Sequence, residues 1–361
     1  MSDVTGKGTS GSVAIVTLQG RTNYGNRLQN YAVAKLYERF GYATTTLLRE
    51  DHPSLTRRAV ESIRNATSFN DSSKEPKENI QRLAAFERFD NALRFSKASE
   101  IDANLSGSFD YFSVGSDQVW NLGRLSDNDS WFYLRFARPE QRIALAPSIG
   151  VSQLNKKQMK RLAKGVSGFR NLSIREQQGA DLIMACSGRE ATVICDPTLA
   201  LHIDEWRRVE DRRLTPENPY VLTYLLGDSN PEATNVLSDL AKEGGLPVVS
   251  LSDRSELGEP PAGPAEFISL IDSAEHVVTD SFHAAVFASV LQTPLTIVHR
   301  EGGTSMFSRL ETLAQMIGIG HKIYDSPDFN LSRAGDYEGV KESIEHERKK
   351  FMNYIEMCLD A

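Results

Sequence analysis

The sequence predicts an α/β protein with two Rossmann-like, doubly wound domains that face each other across a cleft. Three observations predict this fold. The chain has 361 residues, and a prior of about 150 residues per domain suggests two domains. Short apolar segments alternate with helical segments in two successive series, which is typical of parallel sheets covered by helices. Between the two series lies a charged segment, 201–219, with two prolines near its end, which marks a hinge or domain boundary.

The first series begins with the apolar run at 13–18, which predicts a buried strand. A helical stretch at 26–40 ends before Gly41, a typical C-cap residue, and a strand follows at 42–48. Two strands joined by a helix imply a parallel sheet. Residues 51–78 are polar and predict a mobile excursion from the core. The remaining predicted elements are helices at 79–95, 156–166 and 176–185 and strands at 111–114, 142–146, 172–174 and 192–195.

The second series resumes the same alternation after the boundary. Its predicted strands lie at 220–226, 248–251, 276–279 and 295–298, and its helices at 231–243, 264–273, 281–292 and 305–317. A charged amphipathic helix is predicted at 337–359. We therefore predict an N-terminal Rossmann-like domain at 1–205, a C-terminal one at 206–330, and a C-terminal helix at 331–361 that packs back on the N-terminal domain. Folds of this kind bind ligands at the carboxyl ends of their strands.

Composition and charge exclude several classes of protein. The formal net charge of −7, from 48 acidic and 41 basic residues, disfavours a nucleic-acid partner. Three cysteines lack the spacing of metal ligands, and Cys186 and Cys195 are typical of small buried hydrophobic residues. The polar N-terminus lacks the order of a signal peptide, and no apolar run approaches the roughly 20 residues that span a bilayer. We expect a soluble, cytoplasmic chain, whose oligomeric state the sequence does not indicate.

Polar residues follow the first strand, where a ligand would meet the sheet. Asn23, Gly25, Asn26 and Gln29 lie in this loop and in the first turns of the next helix. A glycine lets the backbone approach a ligand closely, and the helix amides suit an anion or a polar group. Asn23 and Asn26 are equally well suited to be helix caps, and the spacing does not decide between these roles.

A second polar segment, at 114–121, follows another predicted strand. It contains five candidate binding residues: Gly115, Ser116, Asp117, Gln118 and Trp120. We interpret it as a sugar site in which Trp120 stacks on the sugar ring and Asp117 binds hydroxyl groups, because an exposed tryptophan needs such a partner. The alternative is a turn in which Ser116 and Asp117 bond to their own backbone.

Two charged residues lie at the ends of later strands. Arg175 follows an apolar strand, where its guanidinium would clamp a carboxylate or phosphate in a bidentate manner, or would pair with Glu176 or another local acid. Asp196 precedes a proline that forces a turn, and it either shapes that turn or orients a neighbour.

The segment 276–285 is the strongest candidate for chemistry. A strand ends at Asp280, Ser281 is suited to cap the next helix, and His283 lies in its first turn. The positive end of the helix disfavours an imidazolium, so we predict a lowered pKa and a ring available for proton transfer. A histidine near a cap is as often only a polar side chain. The sequence contains no HExxH, Walker A, GxSxG or CxxC motif, so it calls for neither a metal nor a cofactor.

Taken together, these segments resemble the polysaccharide pyruvyl transferase family. Six stretches match in the family's order: 23–32, 114–121, 146–150, 173–176, 196–199 and 279–284. The resemblance implies a GT-B-like pair of Rossmann-like domains. It also implies that the pyruvyl carbon of phosphoenolpyruvate becomes a cyclic ketal on two sugar hydroxyls, with release of phosphate. The catalytic residues that it implies are His283 and Arg175, which would hold phosphoenolpyruvate.

The sequence departs from the family two residues before the histidine, where Ser281 stands in place of a frequent arginine. We predict that Arg300 supplies the missing charge, with Arg309 as a second candidate. Phosphoenolpyruvate would then bind on the C-terminal side, near Asp280. The acceptor, a sugar or a lipid-linked saccharide, would bind the N-terminal loops and would bring the chain to a membrane surface if it is membrane-borne. Two alternatives are a GT-B-like glycosyltransferase that uses a nucleotide sugar and a family member that binds a glycan without catalysis.

Overall fold

A computed structural model describes residues 10–49, 77–99, 104–123, 130–226, 230–252, 259–300 and 307–360 of the chain. The predicted excursion at 51–78 lies outside these residues, except for its last two positions, which begin a helix.

Five parallel strands form the N-terminal sheet, in the order β3-β2-β1-β4-β5. In the described part of this half there are also four α-helices and a small two-stranded parallel sheet, β6-β7. The strands are β1 (Gly11–Val16), β2 (Tyr42–Leu48), β3 (Phe95–Lys97), β4 (Tyr111–Val114), β5 (Arg142–Ala144), β6 (Ser173–Ile174) and β7 (Thr192–Val193). The helices are α1 (Tyr24–Arg39), α2 (Lys77–Asp90), α3 (Lys156–Val166) and α4 (Gln177–Ser187).

Four parallel strands form the C-terminal sheet, in the order β11-β10-β8-β9. Two short helices, α5 (Pro197–Ala200) and α6 (Ile203–Arg207), lead into it. Its strands are β8 (Val221–Leu225), β9 (Val248–Ser252), β10 (His276–Thr279) and β11 (Leu295–Ile297). Its helices are α7 (Pro231–Gly244), α8 (Pro264–Asp272), α9 (Phe282–Leu291) and α10 (Ser308–Ile317). Two parallel, helix-covered sheets confirm the predicted α/β fold with two Rossmann-like units in a GT-B-like arrangement.

Most elements lie where the sequence predicts them. The strands at 42–48, 111–114 and 276–279 and the helix at 156–166 have the predicted bounds. Strands β1 and β7 each end two residues earlier than predicted. Strand β3 is not predicted at all. The predicted domain boundary near residue 205 stays a prediction, although the strands of the two large sheets lie on opposite sides of it.

The charged segment 201–219 is not an open hinge. Trp206 in α6 is completely buried, with its ring 5.6 Å from Tyr31 and 4.8 Å from Phe287 between ring centroids. The side chains of Arg207, Arg208 and Arg212 are exposed around it, while the tryptophan anchors the segment in the core. The segment therefore connects the two sheets through a packed contact.

The last helix, α11 (Val340–Leu359), packs back on the N-terminal sheet, as predicted. The hydroxyl of Tyr354 donates to the carbonyl of Ala144 at 2.9 Å, and Tyr111 donates to the carbonyl of Leu359 at 2.8 Å. None of the helices in the described ranges has both the length and the apolarity that crossing a bilayer requires.

One hydrophobic core runs through both halves of the molecule. At its centre, Tyr24 of α1 stacks on Phe267 of α8 with ring centroids 4.3 Å apart and donates its hydroxyl to the carbonyl of Ala262 at 3.0 Å. The guanidinium of Arg82 lies over the same ring and donates to the carbonyls of Thr22 and Ser252. These contacts join α1 and α2 directly to the C-terminal half.

Candidate active site

The carboxyl ends of the two large sheets meet at a cavity of about 180 Å³. Side chains from both halves line it: Leu18, Asn23, Gly25, Asn26, Asp117 and Gln118 from one, and Tyr224, Leu226, Ser281, Phe282, His283, Arg300 and Arg309 from the other. A larger cavity of about 680 Å³ contains Ser12 and Asp110, at the amino ends of β1 and β4. Ligands of this fold bind at carboxyl ends, so we take the smaller cavity as the candidate active site.

His283 lies in the first turn of α9 and is 9% exposed. Burial lowers the pKa of His283; the charge of Arg175 adds to this effect, whereas the carboxylates of Asp196 and Asp117 oppose it. The pKa is lowered, as predicted, and burial is the largest cause. Nε2 of His283 has no hydrogen-bond partner in the described part of the chain. At neutral pH the ring is therefore an uncharged group that can accept a proton.

Gly25 makes room for this ring. A Cβ atom at residue 25 would lie 2.1 Å from Nδ1 of His283 and 2.4 Å from Cε1, far inside any normal contact. Only glycine lets the start of α1 lie this close to the imidazole. Gly25 was predicted to admit a ligand, but the close approach that the structure shows is to His283.

Asp196 connects the candidate catalytic residues, although the sequence did not single it out for the site. Its Oδ1 accepts from the amide of Thr198 at 3.0 Å and from the Thr198 hydroxyl at 2.6 Å. Its Oδ2 accepts from the Ser116 hydroxyl at 2.7 Å and from Nη1 of Arg175 at 2.6 Å, and it lies 3.9 Å from Nε2 of His283. Although burial alone would raise the pKa of Asp196, these positive charges and donors hold it below its ordinary value. Asp196 is thus a fixed negative charge beside the ring.

Arg175 lies behind the cavity rather than in its lining. Its side chain is 2% exposed, its guanidinium carbon lies 4.4 Å from the centre of the Phe282 ring, and its closest carboxylate is that of Asp196. The alternative of an ion pair is therefore realised, mainly with Asp196, since Glu176 lies 4.0 Å away. Arg175 and His283 nevertheless both lie near the carboxylate of Asp196, so the two residues belong to the same site. Direct binding of a donor by Arg175 stays a prediction.

The first N-terminal loop combines capping with a place in the cavity. The side chain of Asn23 accepts from the amide of Asn26 at 2.9 Å and so caps α1. The amide group of Asn26 donates to Asp117 across the cavity wall. Gln29 lies deeper, where it donates to the hydroxyl of Thr17 at 2.6 Å, and it does not line the cavity. Asn23 therefore takes the capping role, both asparagines line the cavity, and ligand binding by them stays a prediction.

The prediction that Trp120 is exposed and stacks on a sugar is wrong. Trp120 is completely buried, stacks on Tyr133 with ring centroids 5.3 Å apart, and donates its Nε1–H to the carbonyl of Phe132 at 2.9 Å. A side chain that fills the core in this way cannot reach a ligand.

The rest of the second loop is a tight turn. Asp117 has a left-handed backbone with φ of 62°, and its carbonyl accepts from the amides of Val119 and Ser148. Gly115 and Ser116 are buried behind the cavity, and the Ser116 hydroxyl donates to Asp196. Of the five residues predicted in this segment, only Asp117 and Gln118 line the cavity.

Two arginines supply positive charge to the C-terminal wall. Nε of Arg300 donates to Oδ2 of Asp280 at 3.1 Å, and Nη2 donates to the carbonyl of Asp280 at 3.3 Å. Asp280 is almost completely buried and also accepts from the amide of Leu226 at 2.9 Å, so it orients Arg300 instead of facing the cavity. Arg309 is 8% exposed, and burial lowers its pKa to about 10, which leaves it charged at neutral pH.

Ser281 occupies the N-cap position of α9. Its side chain makes no capping hydrogen bond, so the prediction that it caps the helix is wrong. Its amide donates to the Thr279 hydroxyl at 3.0 Å, and the residue lines the cavity two positions before His283 in the chain. Among the described residues, no group of three or more His, Cys, Asp or Glu side chains is placed to hold a metal ion.

Comparisons with known proteins give a family and a set of similar folds. The model of a family described as polysaccharide pyruvyl transferase matches residues 23–298. No curated protein sequence matches the chain. Among solved structures, the UDP-GlcNAc 2-epimerase of Methanocaldococcus jannaschii is similar over 92% of this chain and 92% of its own, with 11% identity and a TM-score of 0.49. An α-glucosyltransferase in complex with UDP is similar over 96% of this chain and 95% of its own, with 10% identity and a TM-score of 0.47.

Proposed function

Because the chain belongs to the polysaccharide pyruvyl transferase family, we propose that it transfers the pyruvyl group of phosphoenolpyruvate to a sugar of a cell-surface polysaccharide or of its precursor. The product is a ketal, and phosphate is released. The observation that carries this proposal is the convergence of His283, Arg300 and Arg309 on one small cavity between the two halves. A proton-transfer group beside two cations suits an anionic donor that must be protonated at carbon and lose phosphate.

Arg300 and Arg309 bind the phosphate and the carboxylate of the donor in this proposal. Arg300 is held at one edge by Asp280, which orients the guanidinium and leaves its other donors for a ligand. Arg309 is mostly buried, so its charge is poorly screened by water and acts strongly on an anion in the cavity. Together they compensate for the serine at position 281.

The bond changes follow from the donor and two sugar hydroxyls. One hydroxyl oxygen bonds to the central carbon of phosphoenolpyruvate while the methylene carbon gains a proton and becomes a methyl group. The second hydroxyl oxygen then displaces phosphate from the same carbon, which closes the ketal ring. The two sugar hydroxyls lose one proton each. One proton accounts for the third hydrogen of the new methyl group, and the other leaves with phosphate.

His283 is the residue that moves the proton of the sugar hydroxyl in this scheme. Its lowered pKa keeps the ring neutral and able to accept a proton near pH 7. The imidazolium that forms is stabilised by Asp196, whose Oδ2 lies 3.9 Å from Nε2. General acid–base catalysis of this kind contributes about 10² to 10⁴ in rate. Arg175 stabilises Asp196 in turn and acts through it.

The acceptor sugar binds the N-terminal wall. Asn23, Asp117 and Gln118 present polar side chains there, and Asn26 fixes the carboxylate of Asp117 by donating to it. Carboxylate and amide groups are suitable partners for sugar hydroxyls, since they offer several acceptors and donors in a small space. The donor and acceptor would thus approach His283 from opposite halves.

The test combines binding and turnover. We expect phosphoenolpyruvate, but not UDP- or GDP-sugars, to raise the melting temperature. We also expect phosphate release from phosphoenolpyruvate with a mixture of saccharide acceptors, and its loss in His283→Ala. His346→Ala, an exposed histidine on α11, is the matched control and should keep activity. Stabilisation by a nucleotide sugar alone would identify a glycosyltransferase, and binding of phosphoenolpyruvate without phosphate release by any acceptor would indicate a non-catalytic family member.

A further inference from the structure

Positive charge is concentrated in one part of this acidic chain. Residues 124–195 contain twelve of the 41 basic residues and only six of the 48 acidic ones, a net charge of +6. The rest of the chain therefore has a net charge of −13. Part of this charge is buried, as at Arg175, so the positive field at the surface comes from the exposed side chains of the segment.

Helix α3 carries the centre of this charge on its outer surface. Lys156, Lys160 and Lys164 are four residues apart, so they lie on one face of the helix, and all three are exposed. Lys157 and Arg161 lie beside them, and these five residues form what we call the basic face. The opposite side of α3 is buried through Leu162 and Val166, which fixes the orientation of the basic face towards solvent.

Half-buried aromatic and aliphatic side chains lie next to the basic face. The loop at 130–137 packs on the end of α3, where Nη2 of Arg135 donates to the carbonyl of Lys164 at 2.9 Å. This loop contributes the half-buried Trp131 and Phe132, and Met159 of α3 is half-buried as well. Basic residues interleaved with partly exposed aromatic residues are typical of surfaces that lie at a lipid interface. A surface that binds a soluble polyanion needs only positive charge, so the aromatic side chains favour a lipid interface.

The basic face begins close to the candidate active site. Gln118 lines the cavity, and a Cβ on Gly150 would lie 2.8 Å from Oε1 of Gln118, so the chain at residue 150 passes directly behind the cavity wall. Lys156 follows six residues later, within about 20 Å of chain. Helix α3 starts at the same edge of the sheet as the cavity, because it follows a strand of a parallel sheet.

We propose that the basic face docks the protein on a membrane surface that contains anionic lipid. Lys156, Lys160 and Lys164 would pair with lipid headgroups, and the neighbouring aromatic side chains would lie at the headgroup boundary. Docking in this way brings the cavity near the membrane, where a lipid-linked saccharide would be found. The docking goes beyond the proposed reaction and does not depend on it, since it is measured without any substrate.

Vesicle sedimentation with the full chain tests the proposal. The protein is mixed with vesicles of phosphatidylcholine alone or of phosphatidylcholine with phosphatidylglycerol, at low and at high salt. The test variant is Lys156→Gln, Lys160→Gln, Lys164→Gln. The matched control is Lys242→Gln, Lys341→Gln, Lys349→Gln, which removes the same charge from exposed positions on α7 and α11. Thermal melting of both variants verifies that they are folded.

The wild type and the control should sediment with the anionic vesicles only, and less at high salt. The test variant should bind about 10²-fold more weakly, since each basic residue near an anionic surface contributes about fivefold. Three outcomes would overturn the proposal: no sedimentation of the wild type, equal loss in both variants, or binding to a soluble polyuronate with no binding to vesicles. None of these outcomes bears on phosphate release, so the proposed reaction is judged separately.

Discussion

The contact between Gly25 and His283 allows the role of the histidine to be tested by a single methyl group. In Gly25→Ala, the added Cβ would lie 2.1 Å from Nδ1 of His283, whereas ordinary contacts begin at 3.4 Å. The ring must therefore move by about 1.3 Å. Since a displacement of about 1 Å in a catalytic group costs roughly 10²-fold in rate, we expect kcat to fall by about 10²-fold. Alanine favours helix α1 at least as well as glycine, so the fold should be retained.

The assay is phosphate release from phosphoenolpyruvate at saturating donor and acceptor, measured for the wild type, both single variants and the double variant Gly25→Ala, His283→Ala. If the methyl group acts only by displacing the ring, it should have no further effect once the ring is absent. Gly320→Ala is the matched control, because a Cβ there meets nothing within 4 Å and its backbone is not strained.

Two results would refute this reasoning. A Gly25→Ala protein with the kcat of the wild type would mean that the ring moves freely or is not needed at its present position. Fully additive losses in the double variant would mean that residue 25 contacts the substrate itself.

Three further predictions concern charge and pH. Asp196→Asn removes a carboxylate that raises the pKa of His283. The acidic limb of the pH profile of kcat/KM, where the neutral ring becomes protonated, should therefore move to lower pH. A limb at the same pH as in the wild type would disprove the coupling between Asp196 and His283. Arg300→Ala should raise the KM for phosphoenolpyruvate about 10- to 100-fold, since a hydrogen bond to a charged group contributes about 1.5 to 3 kcal/mol. The control variant Arg207→Ala, at an exposed position of α6, should leave this KM unchanged. An unchanged KM in Arg300→Ala would exclude it from donor binding. Burial lowers the pKa of His276 to about 4, whereas an unfolded histidine titrates near 6.5. The unfolded state therefore binds the extra proton between these values, and the free energy of unfolding should fall by up to about 3 kcal/mol as the pH drops through this window. Urea unfolding of the wild type and of His276→Asn measures this, and equal pH slopes would contradict it.

The sequence predicted the fold well because the relevant signals are local. Apolar runs and helical spacing depend on neighbouring residues, so the predicted strand at 42–48 and helix at 156–166 have the observed bounds. Strand β3 was missed for the same reason. It has only three residues, and its first residue, Phe95, continued the apolar spacing of the predicted helix at 79–95. The pairing of β3 with β2 is a long-range contact that no local pattern contains.

The candidate site was predicted in part. The features that the sequence missed all depend on contacts between residues that are distant in the chain. His283 and Arg300 follow strands of a predicted sheet, so their location at the cavity could be expected from topology. The burial of Trp120 depends on Tyr133 and Phe169, whose rings lie within 6 Å but whose relation to Trp120 is set by the folded chain. The contact between Gly25 and His283 joins positions 258 residues apart, and no spacing rule reaches that far.

Asp196 shows where a weak signal was present. An aspartate before a proline at a strand end suggested a turn or an orienting role, and the structure combines both, because Oδ1 accepts from Thr198 while Oδ2 meets Arg175 and lies near His283. The turn could be anticipated from the neighbouring residues. The partners of the second oxygen come from other strands and become visible only in three dimensions.

The stacking of Tyr24 on Phe267 limits how this molecule can admit its substrates. A wide rotation of one half against the other would separate these rings and expose them to water, which costs about 1.5 to 3 kcal/mol for each large apolar side chain. Arg82 would lose its hydrogen bond to the carbonyl of Ser252 in the same movement. For the proposed reaction we therefore expect substrates to enter through local rearrangement at the mouth of the cavity, with the spacing between its two walls already set before either ligand arrives.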